Sequence, residues 1–278
     1  MAVCAGRSFQ LGEQLSNMDF KIETYADYTS RGETPEILFW VGCAGSFDER
    51  AQKITKAVAK ILQHVGLKFA VLGTEESCNG DPAKRAGNEF LFQMQAMVNI
   101  QTMNGYGVKK IVTACPHCFN TLKNEYPELG GNYEVVHHTM LLQQLISEGK
   151  LKVTGGSFSG KRIVFHDPCY LGRGNNVYEA PREVIQKLDA ELHEIKRSRA
   201  QGFCCGAGGG QMFKEPEHGI KDVNIDRTEE ALALSPAVIA VGCPFCMTMM
   251  TDGVKNFNKE EEVKVLDVAE LIAQANEL

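Results

Sequence analysis

PEILFWVGC, residues 35–43, and GKRIVFHDPC, residues 160–169, are the stretches on which the fold turns. Each is a short apolar run rich in β-branched and aromatic residues, of the length of a buried strand, and each ends on a cysteine. The cysteines beyond them keep the same register. Cys43, Cys78, Cys115 and Cys118 in the first half match Cys169, Cys204, Cys243 and Cys246 in the second. The first two positions are offset by 126 residues (43 to 169, 78 to 204) and the last two by 128 (115 to 243, 118 to 246). Random placement does not produce that register. Cys205 is the one addition; it aligns with Asn79, so the second half has five thiols where the first has four.

Working outward, Ile54, Val58, Ile61, Leu62 and Val65 recur at helical spacing until Gly66 stops the run. LKFAVLG (67–73) reads as a second strand leading into EESCNGDP, and Pro82 opens one long helix through Phe90, Met94, Met97, Val98 and Ile100. KKIVTAC (109–115) is a third strand, a helix opens at Pro116, and YEVVHH (133–138) with LLQQLI supplies a last strand and helix. The second half repeats the order: RIVFH, a helix around Val184 to Leu188, ELHEI, a helix around Ile225 to Leu234, AVIAVGC, a helix from Pro244, VKVLD and VAELIA. The expected fold is α/β, with two tandem, repeat-related domains at 35–154 and 160–278. Each should hold a mainly parallel sheet of about four strands flanked by helices. GGSFSG (155–160) is the expected linker. Residues 1–34 lack a clear period and read as an N-terminal arm, with Cys4 a thiol in a mobile tail.

The chain's 278 residues, 44% apolar, suffice for two domains of ordinary size. A net charge of −6 without long like-charge runs argues against nucleic acid as a partner. No apolar stretch is long enough to span a membrane, and the opening residues lack a secretory signal, which predicts a cytoplasmic protein. In that reducing compartment, a repeated cysteine pattern reads as metal ligation or redox chemistry rather than disulfides.

On this layout the cysteines follow the carboxyl ends of strands, where open parallel sheets form ligand crevices. CPHC and CPFC each put a cysteine near a helix N-cap with proline in the first turn, where exposed N–H groups favour thiolate. The glycines of CNGDP and CCGAGGG let backbone N–H groups approach sulfur closely. Four thiols suit a closed zinc site, whereas five exceed its tetrahedral requirement, and the adjacent pair Cys204 and Cys205 suits a multi-iron cluster better.

The second copy, with its HDPC, CCGAGG and CPFC segments, resembles the cysteine-rich CCG domain of heterodisulfide reductase and of iron–sulfur subunits in glycolate and lactate oxidation systems. The resemblance covers residues 36–276. It implies that Cys169, Cys204, Cys205, Cys243 and Cys246 hold a noncubane 4Fe–4S cluster. SCNGDP departs from the pattern at Asn79, so the first copy is expected to use Cys43, Cys78, Cys115 and Cys118 for a cubane 4Fe–4S cluster, with zinc as the alternative.

The function expected from this resemblance is an iron–sulfur oxidoreductase subunit that transfers electrons and reduces a disulfide-type substrate at the second site, with the first site as relay. The alternative is a non-catalytic electron-transfer or zinc/iron–sulfur structural subunit of a dehydrogenase complex. The chain lacks a bacterial ferredoxin run and a flavin fingerprint, so a separate electron-donating subunit carrying ferredoxin-type clusters or flavin is the expected partner. Cys205, His166 and Asp167 are the catalytic candidates; a cap and a strand end are the plainer readings of Asp167 and His166. His117 reads as a group supporting the ligands, His137 and His138 as structural, and Arg173 and Lys214 as candidates to offset cluster charge.

Overall fold

The computed structural model describes residues 20–154, 156–215 and 219–278; Cys4, residues 1–19 of the expected arm and Gly155 of the expected linker lie outside them. Contacts divide the chain into two compact units, one ending at His138 and the other beginning at Thr139, ahead of the glycine- and serine-rich segment.

The first unit runs α1 (Tyr25–Ser30), β1 (Ile37–Trp40), α2 (Gly42–Phe47), α3 (Glu49–His64), β2 (Phe69–Ala70), α4 (Asp81–Arg85), α5 (Glu89–Gly105), β3 (Lys110–Thr113), α6 (Pro116–Asn120) and β4 (Glu134–His137). Its strands are all parallel, in the order β2-β1-β3-β4, with Leu38 opposite Ile111 and Val112 opposite Val136. The helix after β4, α7 (His138–Ser147), precedes the second set: β5 (Arg162–Phe165), α8 (Glu179–Gln186), β6 (Glu191–His193), α9 (Val223–Leu232), β7 (Val238–Val241), α10 (Pro244–Asn256), β8 (Lys264–Asp267) and α11 (Val268–Ala275). The order is again parallel and equivalent, β6-β5-β7-β8. The expected α/β repeat is therefore the fold.

The central strands are apolar without alternation because both faces are covered: every residue of β1 (ILFW) and β7 (VIAV) is buried. α3 supplies cover with Ile54, Val58, Ile61 and Leu62, and starts where the Asp48 side chain accepts the Ala51 N–H at 2.8 Å.

Three details depart from the sequence expectation. The long helix from Pro82 is two helices, because Gly87 turns into the left-handed region (φ 82°) and Asn88 caps a new start by accepting the Leu91 N–H. The buried face of α5 is Phe92, Ala96, Asn99, Ile100 and Met103, while Phe90, Met94, Met97 and Val98 face outward. The strand at 67–73 shrinks to two residues because the chain pairs Val71 with residues 23–25 instead, through Tyr25 N–H to Val71 O at 2.9 Å and Val71 N–H to Glu23 O at 3.1 Å. Residues 23–30 thus form structure within the expected arm: Thr24 and Asp27 make a reciprocal capping box for α1, whose Tyr25 and Tyr28 are buried.

Parallel pairing sends every strand the same way, so the segments following β1, β2 and β3 lie at one sheet edge. Those segments carry Cys43, Cys78 and Cys115; those after β5, β6 and β7 carry Cys169, Cys204 with Cys205, and Cys243.

Candidate functional site

In the first unit Cys78, Cys115 and Cys118 are buried and Cys43 is partly exposed, all as thiols. Their convergence is legible in the electrostatics. The Cys118 thiol is pushed well up by its hydrogen bond with Cys115 and by burial, with Cys43 and Glu76 adding negative charge nearby. Burial also raises the Tyr126 hydroxyl, and the neighbouring thiols it feels are Cys78 and Cys118. At Gly42, in the left-handed region (φ 76°), a Cβ would stand 3.1 Å from Cys118 Sγ, so only glycine lets the loop after β1 come this close to the sulfur.

Two backbone clamps fix the loops. Glu76, fully buried, accepts the Val41 N–H at 3.1 Å and the Gly42 N–H at 2.6 Å, tying the loop before Cys78 to the loop before Cys43. Burial raises its carboxyl to about 8, the two N–H donors opposing the rise. Asn99 holds the other side, donating to the Cys78 carbonyl at 3.1 Å and accepting the Ser77 N–H at 3.2 Å. Asn79, where the fifth thiol would fall, turns its Oδ1 to the Asp81 N–H at 3.0 Å, starting α4.

His117 is not among the sulfurs; its Nδ1 meets Asp81 at 2.9 Å, and Arg85 joins Asp81 at 3.0 Å and also pairs with Glu125. Burial opposes charge on His117, but the Asp81 bond and the Cys115 sulfur outweigh it and raise its pKa. His137 and His138 are buried against each other's rings, 4.3 Å between centroids.

In the second unit Cys205, Cys243 and Cys246 are buried, and Cys169 and Cys204 are partly exposed. Cys205 Sγ lies 3.2 Å from Cys246 Sγ. The Cys246 N–H at the start of α10 points to Cys243 Sγ (3.5 Å), and the Gly206 N–H donates to Cys204 Sγ at 3.2 Å. The five thiols titrate against one another. Hydrogen bonds from Cys169 and Cys205, with the Gly206 N–H, hold Cys204 far below the thiol range. Cys205, donating to Cys204, is pushed up to about 12. Cys169 is raised by Cys204 and by burial, and Cys246 by Cys205, Cys243 and burial. A set that already favours one thiolate and packs the rest at sulfur contact is what a metal–sulfur group requires.

His166 and Asp167 lie beside this set and are both spoken for. Asp167 takes both Nη groups of Arg182, at 2.7 and 2.9 Å, and the Arg199 N–H at 2.8 Å; Arg182 also grips Glu194 and the Tyr178 carbonyl. Despite burial, which raises it, the Asp167 carboxyl is held below its usual value by Arg182. His166, fully buried, accepts the Arg227 Nε–H on Nδ1 at 3.0 Å, and burial together with the Arg227 charge lowers its pKa to about 3. Its donor-capable nitrogen falls within 4.8 Å of the Cys205 and Cys246 sulfurs, a group able to face a metal.

Sequence reasoning missed Glu76, Arg182 and Arg227. Arg227 sits in α9 and Arg182 in α8 among residues of unremarkable amphipathic pattern; only the folded register shows that both guanidiniums are buried. Arg173 and Lys214, the cations singled out from sequence, are exposed. Met247 and Met250 are fully buried packing groups. Among the described residues no helix is long and apolar enough to cross a membrane.

The CCG cysteine-rich domain family matches twice, over residues 37–123 and 163–251. The chain is 46% identical over 252 residues to the EtfAB:quinone oxidoreductase of Syntrophomonas wolfei, covering 88% of the chain and 35% of that protein. It is 48% identical over 258 residues to the probable iron-sulfur-binding oxidoreductase FadF of Bacillus subtilis, covering 92% of the chain and 36% of the relative. One polypeptide of the dihydromethanophenazine:CoB--CoM heterodisulfide reductase of Methanosarcina barkeri is 33% identical over 264 residues, 92% of the chain and 61% of that polypeptide. The chain thus spans about a third of the length of the first two.

Proposed function

The chain belongs to the CCG cysteine-rich domain family, and on that premise we propose that it is the electron-transferring part of an iron–sulfur oxidoreductase. Cys169, Cys204, Cys205, Cys243 and Cys246 hold a noncubane 4Fe–4S cluster, and Cys43, Cys78, Cys115 and Cys118 a cubane one. The observation that carries this is the five-thiol set, with Cys205 and Cys246 at sulfur contact and Cys204 favoured as thiolate. Five donors exceed what a tetrahedral zinc accepts. Clusters of this kind supply one-electron transfer.

The protein's own residues divide the remaining work. Cys169 and Cys204 give the second set an open side, while Cys205, Cys243 and Cys246 close the other. A disulfide approaching that side is reduced in the net reaction RS–SR′ + 2 e⁻ + 2 H⁺ → RSH + R′SH. The electrons come from a partner subunit carrying flavin or ferredoxin-type clusters, and the first site relays them. Asp167 and His166 serve by position: with all their strong acceptors engaged, they set the loop carrying Cys169 rather than deliver the protons. So many thiols also suit a reducing cytoplasm.

Iron and zinc content per chain, with electron paramagnetic resonance of the anaerobically reduced protein, tests the reading. Two distinct reduced signals and no zinc support it; one zinc with a single cluster removes the relay. Disulfide chemistry is checked by oxidation of a reduced viologen on addition of a disulfide, and Cys205→Ser should abolish it while leaving the first site's signal.

A further inference from the structure

Three residues before the first cysteine of each set stands a buried ring, Trp40 before Cys43 and His166 before Cys169, and the two positions correspond in the repeat (40 to 166). Both rings carry a buried nitrogen with no hydrogen-bond partner: Trp40 Nε1 and His166 Nε2. An indole nitrogen only donates. The imidazole is constrained to the same role, because Arg227 Nε, which can only donate, occupies His166 Nδ1 at 3.0 Å and leaves the ring's proton on Nε2. Each unit therefore aims one unused N–H donor into its interior, an expensive arrangement unless an acceptor arrives.

Both point toward the last cysteine of their set. A Cβ built on Gly42 would lie 3.1 Å from Cys118 Sγ and 3.9 Å from Trp40 Nε1, so sulfur and indole nitrogen face the same spot. In the second unit the ligand-capable atoms of His166, Cys205 and Cys246 lie within 4.8 Å of one another. Cys118 and Cys246 are themselves repeat equivalents (118 to 246).

We propose that Trp40 Nε1–H and His166 Nε2–H are paired sulfur donors, one per site, that hydrogen-bond the Cys118 and Cys246 sulfurs once these are metal-bound thiolates, with Arg227 the positioning residue that fixes the His166 tautomer. This rests on the iron–sulfur reading above. The assignment makes His166 a donor and not a metal ligand, since its Nε2 lone pair is taken by the proton. Negative charge on sulfur grows when one electron enters with no bond made or broken, so each N–H favours the reduced state of its own site. Trp40 does so with a ring that cannot titrate, whereas His166 does so only while Arg227 holds Nδ1.

The test uses the full chain with its metal, prepared without oxygen. Reductive titration followed by electron paramagnetic resonance reads each site separately. Trp40→Phe should make reduction of the first site about tenfold less favourable, about 59 mV for one electron, leaving the second unmoved. His166→Leu should do the same to the second site alone, and His166→Gln, which restores an N–H, should recover most of it. Unchanged potentials with full iron content overturn the proposal. So does loss of iron from the second site in His166→Leu with the first site and the circular dichroism retained, which would make His166 a ligand. Long-range nitrogen–proton correlation spectra of the unsubstituted metal-free chain report the tautomer whatever metal the protein carries and whether or not a variant folds: a proton on His166 Nε2 is expected, and one on Nδ1 refutes the assignment. Absence of iron from both sites would instead sink the function it rests on.

Discussion

Asp167→Ala separates a carboxylate that holds a loop from one that moves a proton. The substitution removes two bonds to Arg182, at 2.7 and 2.9 Å, and the acceptor of the Arg199 N–H, at 2.8 Å. Arg182 and Asp167 are 2% and 4% exposed, and taking one partner from a buried pair costs about 3–5 kcal/mol. Arg182 retains Glu194 at 2.6 and 2.8 Å and the Tyr178 carbonyl at 2.8 Å, which places the ion-pair loss near the lower end, about 3 kcal/mol. The orphaned Arg199 N–H adds about 1 kcal/mol. The expected loss is about 4 kcal/mol for Asp167→Ala and about 2 for Asp167→Asn, which keeps one acceptor oxygen. Urea unfolding followed by circular dichroism, with unchanged slope and a lowered midpoint, measures it. Iron should fall at the second site and not the first, because Arg199 leads into the Cys204 segment. A loss below about 1 kcal/mol, with iron intact and disulfide reduction abolished, would refute the positioning role and return Asp167 to proton transfer.

Glu76→Ala strands the Val41 and Gly42 N–H groups in the interior and should cost about 3 kcal/mol by the same unfolding assay, with iron or zinc lost first from the site of Cys43. Asn79→Cys completes a fifth thiol in the first set; the expected result is a first-site resonance spectrum that approaches the second's, at a stability cost of about 1 kcal/mol for the lost Asp81 cap. At the N-terminal helix, Thr24→Ala breaks the capping box and should lower stability by about 1 kcal/mol in thermal melts. Hydrogen bonds from the Thr24 backbone and side chain hold the Asp27 carboxyl below its ordinary 3.8, so its stabilising contribution is present above that value and is lost as pH falls through the lower folded one. Asp27→Asn should accordingly flatten the acid limb of the melting temperature against pH.

The α/β repeat and the nine ligand candidates were legible because both depend on spacing. Apolar runs such as ILFW and VIAV declare buried parallel strands, and cysteines placed after them inherit one sheet edge from the topology. The supporting shell was not legible, for a physical reason. Glu76, Arg182 and Arg227 have the residue types of a solvated surface, and their burial is set by partners far along the chain: Val41 and Gly42, Asp167 and Glu194, His166 and Glu230. Periodicity reports which face of an element is apolar and carries no record of a charge drawn under it. The same limit explains α5, where the helical rhythm of Phe90, Met94 and Met97 was visible and the outward direction of that face was not.

The two clamps solve one mechanical problem in opposite directions. Ligands on the loops after the first and second strands of each unit work only if those loops keep a fixed separation, and neither loop has regular hydrogen bonding to hold it. In the first unit an acid on the second loop, Glu76, reaches back to backbone N–H groups of the first, at Val41 and Gly42. The equivalent positions in the second unit are Gly202, Asp167 and Pro168 (76 to 202, 41 to 167, 42 to 168). Proline has no N–H and glycine no carboxylate, so that clamp cannot form. The acid instead stands on the first loop, as Asp167, and reaches forward to the backbone N–H of Arg199 on the second, with Arg182 closing it from α8. The reversal places a cation-backed carboxylate two residues from Cys169, where the first unit has backbone alone. Local charge is thereby balanced at the site that must accommodate five thiolates rather than four, which makes the arginine-supported clamp the counterpart of the extra cysteine.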